Sequence, residues 1–270
     1  MSRNTCSWGG NAYMLRIFQQ FGEELGVTAT SEQFQDTIDA TRAQLQQRTA
    51  TLTVEEAALT DGVLKVDVAV QSQVGHKLPA SYPSRRAWLH VTVRNAAGNT
   101  LFESGDYRAD GMILENDNDL DPARYEPHYD VITSPDQVQI YEPIMGNTKG
   151  EPTTTLLLAA QYLKDNRLLP TGFDKTTAPP EIAVHGDALT DDDFVGGSDR
   201  VTYQVTVGEA KGPFTVEAEL VYQTIGFRWM ENLREYEGNG NAPEIDAFLR
   251  YAAEIPNTPE PIASITATVE

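Results

Sequence analysis

Thr60-Asp61-Gly62-Val63-Leu64-Lys65-Val66-Asp67-Val68-Ala69-Val70 is the stretch from which the fold is read. Leu64, Val66, Val68 and Val70 alternate with Lys65, Asp67 and Ala69, the period-two pattern of a strand with one buried face. Asp61-Gly62 in front of it is a hairpin-type turn signal. Working outward, the same period begins near Thr51 and returns at Leu89, Val91 and Val93, at Val201, Tyr203, Val205 and Val207, and at Phe214, Val216, Ala218, Leu220 and Tyr222. A final run, Ala263, Ile265, Ala267 and Val269, closes the chain. Ala97-Gly98-Asn99 supplies a second turn. Half-buried strands punctuated in this way predict a mainly β protein built as an antiparallel β-sandwich. Strands do not alternate regularly with helices, which argues against a doubly wound parallel sheet.

The flanks read as helix. Tyr13, Met14, Ile17, Phe18 and Phe21 share a face after Gly9-Gly10-Asn11. Thr30 with Gln33 is a capping-box pattern, and Phe34, Ile38 and Leu45 continue an apolar stripe. Further helices are expected at 153–163, 227–236 and 242–253, the last with Pro243 in its first turn. Residues 105–135 and 170–199 read as long loops, of the kind that often carries function. The organisation expected is an N-terminal helical segment at 1–49 and a β-sandwich domain with inserted helices at 50–270.

Composition narrows the function classes. The chain has 270 residues, 40% of them hydrophobic, enough for one packed β domain with added helices or for two small domains. Its formal net charge of −20 repels phosphate backbones and argues against a nucleic-acid partner. No run approaches the ~18 apolar residues of a membrane span, and no signal peptide is visible at the start. Cys6 is the single cysteine, so an internal disulfide, a cysteine zinc cage and the haem-attachment motif C-x-x-C-H are all excluded.

Few residues stand out for chemistry. The histidines His76, His90, His128 and His185 show no H-E-x-x-H spacing, and there is no G-x-S-x-G elbow, P-loop or dinucleotide fingerprint. Asp117, Asp119 and Asp121 alternate in an acidic loop and Glu126 follows, so these four are candidate oxygen ligands for calcium or another hard cation, the alternative being a solvated loop with Asx turns. Asp191-Asp192-Asp193 with Asp199 is a second acidic stretch. His76 reads as a metal ligand, an electron-transfer neighbour or a buried hydrogen-bonding residue. Arg85 and Arg86 are expected to pair with carboxylates, a guanidinium fork suiting bidentate contact. Trp88, Trp229, Tyr222 and Phe227 read as core residues.

Several segments resemble one family together. They are Gly9-Gly10-Asn11-Ala12-Tyr13-Met14-Leu15, Gly75-His76-Lys77-Leu78-Pro79, and Tyr82-Pro83-Ser84-Arg85-Arg86-Ala87-Trp88-Leu89-His90-Val91. To these add Asn116-Asp117-Asn118-Asp119, Tyr125-Glu126-Pro127-His128-Tyr129, Val138-Gln139-Ile140-Tyr141-Glu142, Lys164-Asp165-Asn166-Arg167-Leu168-Leu169-Pro170 and Tyr222-Gln223-Thr224-Ile225-Gly226-Phe227-Arg228-Trp229. The set resembles the haem-free C-terminal portion of bacterial multihaem c-type cytochromes. The resemblance implies export to the periplasm or beyond, a role in electron transfer, and haem carried by a missing region or by a partner rather than by this chain. Where the family tends to have a histidine before Gly-Gly-Asn, this chain has Cys6-Ser7-Trp8. An accessory domain without catalysis of its own, packing against a haem-bearing domain or subunit, is the expected function. The alternatives are an independent extracellular β-sandwich binding a cation such as calcium, and an enzyme using His76, His128 and nearby carboxylates. The Tyr13–Phe21 stripe is expected to lie partly at a seam with a haem-bearing partner, self-association being the other way to cover it.

Overall fold

The computed structural model describes residues 10–240 and 242–270. Cys6 and Gly9 lie outside the described residues. In chain order the main elements are helices α1 (Ala12–Phe21) and α2 (Ser31–Arg48), then strands β1 (Ala50–Thr60), β2 (Val63–Ser72), β3 (Arg86–Arg94) and β4 (Thr100–Ser104). A short helix α3 (Asp117–Leu120) and strands β5 (Val131–Ile132), β6 (Ile140–Tyr141), β7 (Pro143–Gly146) and β8 (Gln161–Asp165) follow. The remainder is β9 (Ser198–Thr206), β10 (Phe214–Gln223), α4 (Phe227–Arg234), α5 (Pro243–Glu254) and β11 (Glu260–Val269).

The quoted stretch forms the hairpin it predicts. Thr60 pairs with Val63, and the two residues between, Asp61 at φ 50° and Gly62 at φ 74°, both lie in the left-handed region that a tight two-residue hairpin turn requires. One sheet runs β1-β2-β9-β5 and the other β11-β10-β3-β4, with β6 also on β3. Pairing is antiparallel throughout both sheets except between β5 and β9, which are parallel. The sheets face each other across one core. Leu64, Val66, Val68 and Val70 of β2 and Val201, Tyr203 and Val205 of β9 meet Leu89, Val91 and Val93 of β3 and Ala218 and Leu220 of β10. At one edge β1 lies against β11, and α2 packs on β11, where Arg42 grips Glu260 through two hydrogen bonds of 2.7 and 3.0 Å.

Strand β3 is buried on both faces. Its outward Trp88 packs with Ile113, Val138, Ile140 and Val221, so the 105–140 loop forms a second small core over the sheet. The Trp88 indole donates to the Gly105 carbonyl at 2.9 Å, which satisfies its one polar atom.

Both N-terminal helices are capped, the second by the expected capping box. Asn11 accepts from the Met14 amide in front of α1, and Thr30 and Gln33 close a full capping box on α2. The apolar stripe of α1 meets its own chain. Tyr13 and Ile17 are buried with Tyr251 of α5, Phe21 lies 4.5 Å from Tyr251 between ring centres, and Phe18 approaches Phe34 of α2 at 6.2 Å. Helices α4 and α5 fall where the sequence predicts them.

The helix expected at 153–163 is absent. Leu156–Leu158 make one exposed turn, and Gln161–Asp165 form β8 against β7. The reason is burial. Leu157 is 98% exposed while Lys164 and Asp165 are buried, so the apolar residues of this segment face water and its charged end enters the interior.

Candidate functional site

One end of the sandwich is built from buried polar side chains. Arg86, at the start of β3, is 3% exposed and donates through both terminal nitrogens to Asp119 at 2.8 Å each. Its other contacts are Gln223 of β10, accepting from Nε at 2.8 Å, and the Gly111 carbonyl at 2.9 Å. The Ile113 amide also donates to Asp119. Gly111 is needed here: its φ is 86°, and a Cβ would stand 2.0 Å from Gln223 Nε2. Arg228 of α4 donates to the carbonyls of Asn118 and Asp119, which ties α4 to α3. A buried charge pair with this many satisfied donors is the arrangement in which Coulomb attraction offsets desolvation.

A second knot surrounds His128, which is 6% exposed. Gln139 Nε2 and Asn166 Nδ2 donate to its Nδ1 at 2.8 and 3.0 Å. Both amides are oriented by the main chain: Gln139 Oε1 accepts from the Tyr129 amide and Asn166 Oδ1 from the Glu142 amide. Nδ1 is therefore an acceptor, the ring proton sits on Nε2, and it is donated to Asp191 Oδ2 at 3.1 Å. Asp199 lies beyond, 3.7 Å from Nε2, accepting from Tyr141 at 2.6 Å and Gln139 at 3.2 Å. Burial pushes the Asp199 carboxyl up to about 6, against the pull of His128 and the Tyr141 hydroxyl. At Asp191 burial works the same way, but hydrogen bonds from His128 and from the Asp193 and Phe194 amides outweigh it and hold the group down at about 2.

Two further buried pairs complete the base. Asp165 is held by Arg167 through 2.8 and 2.7 Å bonds and by Lys77 at 2.7 Å. Lys164 reaches Glu142 at 3.3 Å, and burial lowers the lysine. Glu126, raised by burial, accepts from the Asp117 amide and the Tyr129 hydroxyl.

Above this base stands the loop from Pro79 to Arg85, with Ser81 at φ 75° at its bend. It presents Tyr82, 49% exposed and edge-on to Trp229 at 5.4 Å, and Arg85, whose Nη1 donates to the Ala80 carbonyl. His76 is exposed beside it. Its Nδ1–H donates to the Lys77 carbonyl at 2.9 Å, so the Nε2 lone pair faces outward.

No protein-family model matches the sequence, and no curated protein is similar to it. Among solved structures, the chain is similar to a penta-heme cytochrome c552 from Thermochromatium tepidum at 15% identity with a TM-score of 0.48. The match covers 84% of this chain and 41% of that one, so the chain spans less than half the length of the cytochrome. The likeness to a multihaem cytochrome is loose, and the fold is mainly β.

The candidate cation ligands are turned apart. Asn116 caps α3 and rotates successive carboxylates around the helix: Asp119 goes inward to Arg86, Asp117 outward to Arg124, Asp121 to the Ala123 amide, and Glu126 to Tyr129. Among the described residues, the groups with ligand atoms close enough for one ion are His90 with Glu103 and Asp106, His128 with Asp191 and Asp199, and Asp130 with Asp191 and Asp193. The second group does not suit a metal, because the His128 nitrogen facing it carries the proton. Arg86 makes the bidentate pair expected of it, while Arg85 pairs with no carboxylate among the described residues. Sequence reasoning singled out Gln139, Asn166 and Tyr141 only as letters within segments that carry the resemblance, and gave none of them a role at the site.

Proposed function

We propose that this chain is a haem-free accessory domain of a multihaem electron-transfer system, periplasmic or extracellular, and that it meets its haem-bearing partner through the end face around the Pro79–Arg85 loop. The supporting observation is convergence. Segments that carry the family resemblance lie far apart in sequence yet interlock at this one end: Gly10 with Thr224, Ser84 with Gly226 and Thr224, Arg86 with Asp119 and Gln223, His128 with Gln139 and Asn166, and Lys77 with Asp165. Buried polar knots are expensive unless fully satisfied, and their use here is to hold the outward side chains of the loop in one geometry. The single cysteine, Cys6, leaves no C-x-x-C-H through which the given sequence could hold a thioether-linked haem.

The test is a photo-cross-linking amino acid placed at Tyr82 and, as a control, at exposed Leu59 on β1, with a multihaem cytochrome encoded alongside the protein. Cross-linking from position 82 that fades as salt rises is expected. Cross-linking from position 59 alone, or from neither position at low salt, would remove the reading.

A further inference from the structure

Beside a smaller cavity of about 150 Å³ at Pro83 and Ser84, three cavities adjoin the Pro79–Arg85 loop, with volumes of about 380, 360 and 310 Å³. Among the described residues no carboxylate lines any of these three, in a chain with 40 acidic residues against 20 basic ones; Glu142 and Glu235 line the smaller cavity instead. Arg85 is a wall shared by the two larger cavities. A guanidinium offers five N–H donors, and among the described residues one of Arg85's is taken, by the Ala80 carbonyl at 3.1 Å. Among the described residues, the other arginines at this end are spent: Arg86 on Asp119, Arg167 on Asp165, and Arg228 on the carbonyls of Asn118 and Asp119. Arg85 is the charge left over.

What lies beside Arg85 defines the rest of a ligand. The 360 Å³ cavity is walled by the Tyr82–Trp229 edge-to-face pair together with Ile225 and Leu233. Its polar lining is neutral, from Asn11, Ser84, Thr154, Thr224 and Asn232. An apolar aromatic wall with one free guanidinium at its rim, in a volume within the ordinary ligand range, suits a flat apolar body that bears an anionic group. The forked donors match the two oxygens of a carboxylate.

We infer that this groove binds a carboxylate carried on a flat apolar body, the carboxylate on Arg85 and the body against Tyr82 and Trp229. Two sources present this chemistry: a free aromatic acid, and a propionate-type carboxylate on a partner's porphyrin. The inference stands on the groove alone and holds for the first source even if the haem-partner reading fails.

The full chain is titrated with 2-naphthoate and with haemin, each beside a form lacking the charge, 2-naphthamide and haemin dimethyl ester. Tryptophan emission is the readout, and Trp229→Phe identifies the reporting residue. Saturable binding by at least one acid is expected, weakened about tenfold or more in its uncharged form and in Arg85→Gln, as the loss of a charge-assisted hydrogen bond implies. Arg85→Lys should recover part of the loss, keeping the charge without the fork. Tyr82→Ala, at an exposed position, should weaken binding while melting like the parent, and it carries the test together with the uncharged ligands if Arg85→Gln does not fold. Arg85-dependent binding of naphthoate assigns a free acid; Arg85-dependent binding of haemin alone assigns a porphyrin. No saturation by either acid at millimolar concentration, or equal affinity in Arg85→Gln, overturns the inference.

Discussion

Asp191 and Asp199 flank the same imidazole and are driven in opposite directions, one held at about 2 and the other raised to about 6. The difference lies in what each accepts. Asp191 takes hydrogen bonds from His128 and two backbone amides, whereas one oxygen of fully buried Asp199 accepts no hydrogen bond from the described residues. A carboxyl raised in the folded state binds its proton more tightly there than when unfolded, near 3.9. Its contribution is therefore full below about pH 4 and falls away as pH rises through about 6. Asp199→Asn removes that dependence, so the variant should gain on the parent by on the order of 2 kcal/mol between about pH 4 and 7. Urea unfolding at several pH values measures this; parallel curves for the two proteins would contradict it. Arg86 is the opposite case. Arg86→Met leaves Asp119 buried without its cation, and a loss of about 3–5 kcal/mol is expected. The double change Arg86→Met with Asp119→Leu should recover much of it, because no orphaned charge then remains.

At the scale of elements, the segment after Pro152 teaches most. Leu156, Leu157 and Leu158 look like a helix core in sequence, but β7 recruits the following residues as a strand partner and leaves the leucines in water. Leu157→Lys should therefore change stability by less than about 0.5 kcal/mol while reducing any self-association, measured by sizing across a concentration series. Helix α2 behaves as its sequence states, since a capping box depends only on residues three apart. Thr30→Ala should lower stability by about 1 kcal/mol, with Thr30→Ser close to the parent. The β1–β2 turn is equally local: Asp61-Gly62 fits positive φ at both positions, so the hairpin was legible from two residues.

For the whole molecule, the formal charge of −20 is the governing quantity. Self-repulsion disfavours the compact state, and salt screens it with a Debye length of about 8 Å at physiological strength. Tm should rise from very low salt to about 0.15 M sodium chloride, and a flat or falling curve would show that local ion pairs outweigh the repulsion. The chain made alongside haem-maturation machinery should be colourless after denaturation, since Cys6 has no second cysteine with which to hold a thioether-linked haem.

Sequence alone determined the mainly β class, the hairpin, the two N-terminal helices with the capping box of the second, and the helices near 227 and 243. Each of these rests on neighbours within a few positions, where periodicity and capping act directly. The partners of buried charges were another matter. Nothing in Asn116-Asp117-Asn118-Asp119 says that Asp119 turns inward to Arg86 while Asp117 turns out to Arg124, because a four-residue helix decides it. Nor does His128 announce Gln139 and Asn166, or the stripe on α1 announce α5, more than two hundred residues away. Arg85 and Arg86 are identical letters side by side; Arg86 opens β3 and is buried against a carboxylate, while Arg85 ends the loop before it and faces two cavities. Alternation across a strand is local physics, but which face meets a carboxylate is settled only when distant segments pack.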